Sequence, residues 1–337
     1  MSASASSAAS SGWTYPQPFG PRAVLVVLGV LALLFYSGER VQVGRLVSLT
    51  SHSVLADLGL TDEDQGTTGL GEVVARLFPL QVSDRQEVSR IEGFDPDHLP
   101  PFAHIETERI NEQALDPETL ELEDHSVERT YLVRPFGYLQ HVAAKMVETL
   151  EIALWGTLIA VLLGLPLALL SASNITPSPL VRFVSRSAVS VMRATPELIS
   201  ALFLVLVYGF GPIAGYVALG LHGAGALGRF FADETEHADW RPQEALAAIG
   251  ARRLAIWRLA VLPQVMPHHI GSTLYVLDRN VRMATVIGLV GAGGIGQELK
   301  GRYDMYDYGH VGTILLATFI VVLLLDRLSQ RLRRHFL

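Results

Sequence analysis

Apolar residues fall in long blocks along this chain, and the polar residues between them are gathered rather than scattered. Ala23–Tyr36 is the first apolar run. It is short of the ~20 residues that cross a bilayer, and Gly20, Pro21, Ser37 and Gly38 extend it. A secretory leader is the rival reading, but no small-x-small cleavage pattern follows Tyr36, so residues 21–37 are taken as an uncleaved span. Met146–Leu170 predicts a second span, with Glu148 and Glu151 at its head and Pro166 inside it. Such a proline is tolerated where neighbouring helices satisfy the freed carbonyl. Val189–Phe210, Ile213–Phe231, Val265–Val290 and Val311–Leu325 predict four more. Gly215, Gly220, Gly223, Gly225 and Gly228 crowd the fourth, which suits close crossing of helices. The expected fold class is an all-α membrane protein with about six transmembrane helices.

The polar stretches have distinct characters. Met1–Gly20 is Ser/Ala-rich without period and reads as a disordered tail. Gly38–His141 holds 20 Asp and Glu against 8 Arg and no Lys, in a chain whose net charge is −7. Residues 38–141 therefore read as an acidic insert in a basic, apolar framework. Within it, Leu46–Leu60 and Leu70–Val82 predict short amphipathic helices, and Glu92–Glu128 predicts loop with little core. The acidic clusters Thr61–Asp64 and Glu121–His125 lack the alternation and glycine of a calcium loop and read as solvated faces. Arg182 and Arg186, then Arg241, Arg252, Arg253 and Arg258, then Arg327, Arg331, Arg333 and Arg334 fall on one side of a six-span topology. By the arginine rule that side is cytoplasmic, with both termini inside and the insert outside. No chain-wide basic surface is present, which argues against nucleic acid. The absence of Cys excludes disulfides and thiolate chemistry.

Trp240–Pro263 is too charged to cross a bilayer, yet it lies between apolar blocks. Asp239 is placed to cap it and Pro242 falls in its first turn. Ala245, Leu246, Ile249, Leu254 and Trp257 form an apolar set interrupted by Gly250. The pattern predicts two short helices bent at Gly250 at a membrane surface, with Pro263 ending the run.

Leu274–Thr285 carries Asp278, Arg279, Asn280 and Arg282 near the middle of the fifth span. Charges at that depth cost at least ~2.5 kcal/mol each on insertion scales and face a bundle interior or a water-filled path. Asp278 and Arg282 are helical neighbours and neutralise each other. Arg279 needs a partner elsewhere: Glu197, a carbonyl or an anionic solute. Packing and solute contact weigh equally for these residues. Arg193 and Glu197 repeat the four-residue relation and predict a structural clamp at the headgroups. Gly291-Ala-Gly-Gly-Ile-Gly296 spells G-x-G-x-x-G, but it follows an apolar helix rather than a strand, so a tight helix crossing or gate is expected. No Walker A sequence occurs. His268 and His269 point about 100° apart on a helix and make no metal pair. Asp304, Asp307 and His310 read as polar loop residues.

The spacing Glu244-Ala245-Leu246, then Gly250, then Leu262-Pro263 resembles the cytoplasmic loop of ABC-importer permeases, in which coupling helices dock into a cleft on an ATPase subunit. From about Lys145 the chain is similar to phosphonate-type permeases of that family. The resemblance is carried by Glu148–Ala153, Arg193-Ala-Thr-Pro-Glu197-Leu198, Gly209–Pro212, Leu262-Pro263-Gln264, Leu274-Tyr275, Asn280-Val-Arg282-Met-Ala-Thr285, Gly291–Gly296 and Asp326–Ser329. Departures stand at Leu246, Val261, Val276, Asp278 and Arg279. The resemblance implies a type I, methionine-importer-like core over residues 142–330, with coupling helices in 240–263 and a basic tail at 331–337. It implies a homodimer with two ATPase subunits and an extracytoplasmic binding protein in a bacterial plasma membrane. ATP and Mg would sit on the ATPase, with no cofactor on this chain. The implied coupling residues are Glu244, Ala245, Gly250, Leu262 and Pro263. The expected path residues are Asp278, Arg279, Asn280, Arg282 and Thr285, with Gly291, Gly293, Gly294 and Gly296 as a gate. The cargo would be a phosphonate, phosphite, phosphate or related oxyanion. An ion-coupled carrier using Asp278 is the alternative, and a membrane sensor a more distant one.

Overall fold

The computed structural model of the chain describes residues 21–42, 44, 48, 70–91, 93–96, 99–115 and 122–336. The tail 1–20, most of Leu46–Leu60 and the cluster Thr61–Asp64 lie outside the described residues. The chain divides into two units, Met1–Ala75 and Arg76–Leu337. The first holds helix α1, Pro21–Arg40, whose apolar part runs over Val24–Ser37. Helix α2, Leu70–Leu77, covers part of the amphipathic segment expected there.

The second unit opens with the insert, which is not loop. Strands β1 (Asp84–Glu87), β2 (His104–Leu115) and β3 (Leu122–Arg134) form an antiparallel sheet in the order β1-β3-β2. β2 and β3 pair in unbroken register from His104↔Val133 to Leu115↔Leu122. Alternation such as Ile105-Glu106-Thr107-Glu108 carries a period of two, which the density of acid and proline in this stretch obscured. Opposite charges across the ladder favour the pairing: Arg109 meets Glu128 at 2.7 Å.

Helix α3, Gly137–Ser171, starts inside what the sequence assigned to the insert. Its buried positions, among them Ile152, Ala153, Gly156, Ala160, Gly164 and Ala168, recur every three or four residues and form one stripe. That stripe packs on α6, Pro212–Glu236, whose buried face is mostly Gly and Ala. Contact is close enough that a Cβ on Gly220 would lie 2.6 Å from the Ile159 side chain, and one on Gly156 2.9 Å from the Leu219 Cβ. Small residues on both helices set this distance.

The expected third span is broken. Helices α4 (Pro179–Ala194) and α5 (Glu197–Tyr208) meet at 88°. Pro196 lacks an N–H and pushes Thr195 out of the helical region, and both residues are extended at ψ 119° and 133°. After α6 come α7 (Trp240–Ala248), α8 (Arg253–Ile256), a π turn (Trp257–Val261) and α9 (Leu262–Gly288). Pro263 does not end the run: it sits in the first turn of α9, and the wide turn before it accommodates its ring. Helices α10 (Gly294–Asp304) and α11 (Tyr308–Phe336) complete the chain. Among the described residues, α3 and Tyr308–Arg331 are long and apolar enough to cross a membrane, and the bent pair α4–α5 passes the same test together. Helices α6 and α9 have 25 and 27 residues, enough length to cross, but carry more polar positions.

Candidate functional site: paired charges, glycine turn and helical handle

The middle of α9 meets α3, α5 and α6. Asp278 is buried and pairs with Arg282 at 2.9 Å, one helical turn on, as their spacing predicts. The buried Asn280 donates to Thr157 Oγ1 on α3 at 2.9 Å. Arg279 finds its acid in Glu197, the first residue of α5, and its Nη2 also lies 2.8 Å from His222 Nε2 on α6. This corrects the Arg193–Glu197 clamp. The helix break separates the two residues, Arg193 is exposed, and Glu197 is turned into the bundle beside the middle of α9 rather than towards headgroups. Two arginines and two carboxylates thus stand in matched pairs, with Asp278 buried and Arg282 45% exposed. Thr285 lies one turn beyond Arg282, and its buried Oγ1 has no hydrogen-bond partner among the described residues.

The Gly-rich stretch is a turn between α9 and α10. Gly291, Gly293 and Gly294 have φ of 93°, 82° and 70°, which side chains strongly disfavour. Helix α3 caps the new helix: Glu148 Oε1 accepts from Gly294 N–H at 3.0 Å and Thr149 Oγ1 from Ile295 N–H at 2.8 Å. A carboxylate at a helix N-terminus also complements the dipole. Lys145 Nζ holds the other oxygen of Glu148 at 2.7 Å. The turn before α6 joins in, as Gly211 N–H donates to Gly291 O at 2.9 Å. Gly296 lies so near α9 that a Cβ there would fall 2.0 Å from Thr285 O.

Beyond this turn lies a second polar cluster. Glu298 meets Arg302 at 2.9 Å and His141 at 3.2 Å, while Asp307 meets His310 at 2.6 Å and Arg302 at 3.1 Å. Asp307 and His310, read from the sequence as loop residues, therefore clamp the start of α11. His310 Nε2 also lies 3.3 Å from Ser83 O, beside β1. Burial opposes the charge on Glu298, but hydrogen bonds and charge from Arg302 and His141 outweigh it and hold its carboxyl below the usual range. The same balance, with His310 as the first opposing partner and Arg302 as the second, lowers Asp307.

At the opposite end, α7 and α8 form the handle. Asp239 caps α7 through Arg241 N–H at 3.0 Å, and Gly250 makes the bend with φ 81°. Ile249 and Leu254 are 79% and 76% exposed, so the bend presents an apolar knob. Glu244 and Ala245 lie on α7, while Leu262 and Pro263 open α9. A groove of about 620 Å³ runs between the handle and the turn after α3, lined by Ile175, Pro177, Gln243, Leu254 and Trp257 among others. Gln264 ties the handle to α9: its Oε1 accepts from Asp239 N–H at 2.8 Å and its Nε2 donates to Ala260 O at 2.6 Å. Nearby, Glu234 of α6 bridges His269 and Ser272 of α9, both at 2.6 Å. Glu236 takes Ser173 N–H at 2.6 Å and Arg186 at 2.5 Å. Burial works against its charge, but these two partners hold its carboxyl low.

Sequence reasoning missed His222, Glu234 and His269 as network members. A polar residue inside an apolar, glycine-rich helix was the available signal for His222. Glu148 is read from the sequence as the head of a span and Thr149 only as part of the resemblance, since nothing local ties them to a turn 146 residues away.

Comparison with known proteins agrees with this arrangement. Residues 164–336 match the family described as binding-protein-dependent transport system inner membrane component. HtxE of Stutzerimonas stutzeri, a permease protein ascribed to phosphite transport, is 49% identical over 257 residues, 76% of this chain and 98% of that protein. The phosphite transport system permease protein PtxC of the same organism is 43% identical over 57% of this chain and 70% of its own. The phosphate-import permease protein PhnE of Mycolicibacterium smegmatis is 38% identical over 55% of this chain and 35% of its own. Among solved structures, an inward-facing MetNI methionine ABC transporter chain aligns with TM-score 0.52 and 22% identity over 58% of this chain and 96% of its own. An amino acid ABC transporter chain aligns with TM-score 0.51 and 18% identity over 59% and 95%. The shared fold is that of type I importer permeases, and the resemblance to phosphonate-type permeases is borne out by these relatives. The chain belongs to the binding-protein-dependent transport system inner membrane component family.

Proposed function

We propose that the chain is the path-forming subunit of an ATP-driven importer for phosphite or a closely related phosphorus oxyanion. The relatives named for phosphite and phosphate transport support that cargo class. The observation that carries the mechanism is the handle: an exposed apolar bend between short helices, tied by Gln264 to the helix that holds the midplane charges. An ATPase subunit grips this bend through Glu244, Ala245, Gly250 and the flanking apolar side chains. A second copy of the chain completes the path, and a binding protein delivers the anion from outside. N- and C-termini lie in the cytoplasm in this reading, which the arginine-rich segments support. The anion passes Arg279 and Arg282, whose charges are already matched by Glu197 and Asp278. Contacts there are therefore weak, which favours release over retention. No observation favours the ion-coupled alternative, since Asp278 is engaged by Arg282.

The test is uptake of phosphite, phosphate and methylphosphonate in cells lacking their own systems and expressing the full transporter. Phosphite uptake that requires the ATPase gene and is lost in Glu244→Lys supports the assignment. Uptake independent of the ATPase sinks it, and transport of none of the three anions overturns the cargo.

A further inference from the structure

His222 has no role in the reading above, yet it joins three elements at mid-depth. Its side chain is only 12% exposed, as is that of Glu197. Its Nδ1 lies 3.0 Å from Thr195 O, the last carbonyl before Pro196 at the α4–α5 break. Its Nε2 lies 2.8 Å from Arg279 Nη2 and 3.2 Å from Glu197 Oε1. A carbonyl only accepts, so Nδ1 carries the hydrogen. A guanidinium only donates, so Nε2 offers its lone pair. The ring that satisfies both is the neutral Nδ1–H tautomer, with Glu197 Oε1, 3.2 Å from Nε2, accepting from Nη2–H of Arg279 instead of from the ring.

The two N–H groups of Nη2 are then both engaged, one by Glu197 and one by His222. Arg279 retains Nε–H and two Nη1–H groups, which have no hydrogen bond among the described residues. Both bidentate edges of a guanidinium include Nη2, so an incoming oxyanion meets the remaining donors singly rather than in a fork. We propose that His222 is a positioning residue for the transport step: as a neutral acceptor it pins Nη2 of Arg279, aims the free donors, and keeps the arginine's hold on a phosphorus oxyanion monodentate and weak. This rests on the oxyanion reading and assigns how its central arginine is held.

Two substitutions separate the ring's functions. Asparagine places a donor near the position of Nδ1 and keeps the bond to Thr195 O, but it has no acceptor at Nε2. Glutamine reaches the position of Nε2 with its carbonyl and loses the bond to Thr195 O. The readouts are phosphite uptake at saturating concentration and ATP hydrolysis by the purified full transporter. We expect uptake to fall about tenfold or more in His222→Asn with hydrolysis continuing, as a displaced contact group does to a positioned ligand. We expect His222→Gln to recover most of the rate. The converse, a working Asn variant and a Gln variant in which uptake and hydrolysis fall together, makes His222 a staple of the helix break and overturns the proposal. Equal behaviour of the two variants, whether both active or both inactive, also overturns it. Normal uptake in Arg279→Ala would instead remove the oxyanion reading beneath it.

Discussion

Replacing Thr149 with Val tests how the outer turn is held. Thr149 and Ile295 are both 0% exposed. The Thr149 hydroxyl donates to Lys145 O and accepts from Ile295 N–H, each at 2.8 Å. Valine has nearly the same shape, so packing is kept and the hydroxyl alone is lost. Lys145 O retains its place in the backbone ladder of α3, whereas Ile295 N–H is at a helix start and has no intrahelical acceptor. A buried donor left without a partner costs about 1–3 kcal/mol. If that cost falls on local opening of the turn, amide exchange at the start of α10 accelerates roughly 5- to 150-fold. Hydrogen exchange followed by mass spectrometry on peptides spanning Gly291–Leu299 reads this directly. Thr149→Ser keeps the hydroxyl and should exchange near the native rate. A Val variant that exchanges like the native chain, or a Ser variant as fast as Val, would refute the cap.

Gly296→Ala forces a Cβ against Thr285 O and the Gly288 Cα, whereas Gly301→Ala meets nothing within 4 Å. The first should lose about 1–3 kcal/mol in detergent melts and the second almost none; equal losses would deny the close crossing. Glu298 and Asp307 have folded pKa values below their unfolded ones, so their stabilisation is present above the unfolded values near ~4 and is lost as pH falls through the folded ones. Melting temperature should therefore drop on acidification below that range, with a shallower slope in Glu298→Gln; an unchanged slope would count against the cluster. Gly250 has φ 81° with open space around it. Ala should strain the bend by about 1–2 kcal/mol and weaken ATPase co-purification, while Asn, which tolerates this conformation, should retain it; a weakened Asn variant would point to the side chain rather than the bend.

The sequence exposed what is local. The apolar blocks located α3, α6, α9 and α11, the four-residue spacing paired Asp278 with Arg282, and Gly250 marked the bend. Local signals failed where the decisive partner is distant. Arg193 and Glu197 have helical spacing, but Thr195-Pro196 breaks the helix between them and hands Glu197 to Arg279. The proline was visible, and its effect on the residue before it was underweighted. Pro263 was overweighted as a terminator, because a wider turn in front of it lets the helix form around the ring. The hairpin β2–β3 was hidden because its charges, read as loop, are ladder partners across the two strands.

Helix α9 is the element through which distant events must be connected. Near its N-terminal start Gln264 binds it to the handle, and Glu234 binds His269 and Ser272 to α6. At mid-depth Arg279 binds it to the break before α5, and Asn280 binds it to α3. At its outer end the turn beyond it hangs on two acceptors from α3. The handle, the ion pairs and the Gly-rich turn therefore have one helix of 27 residues in common.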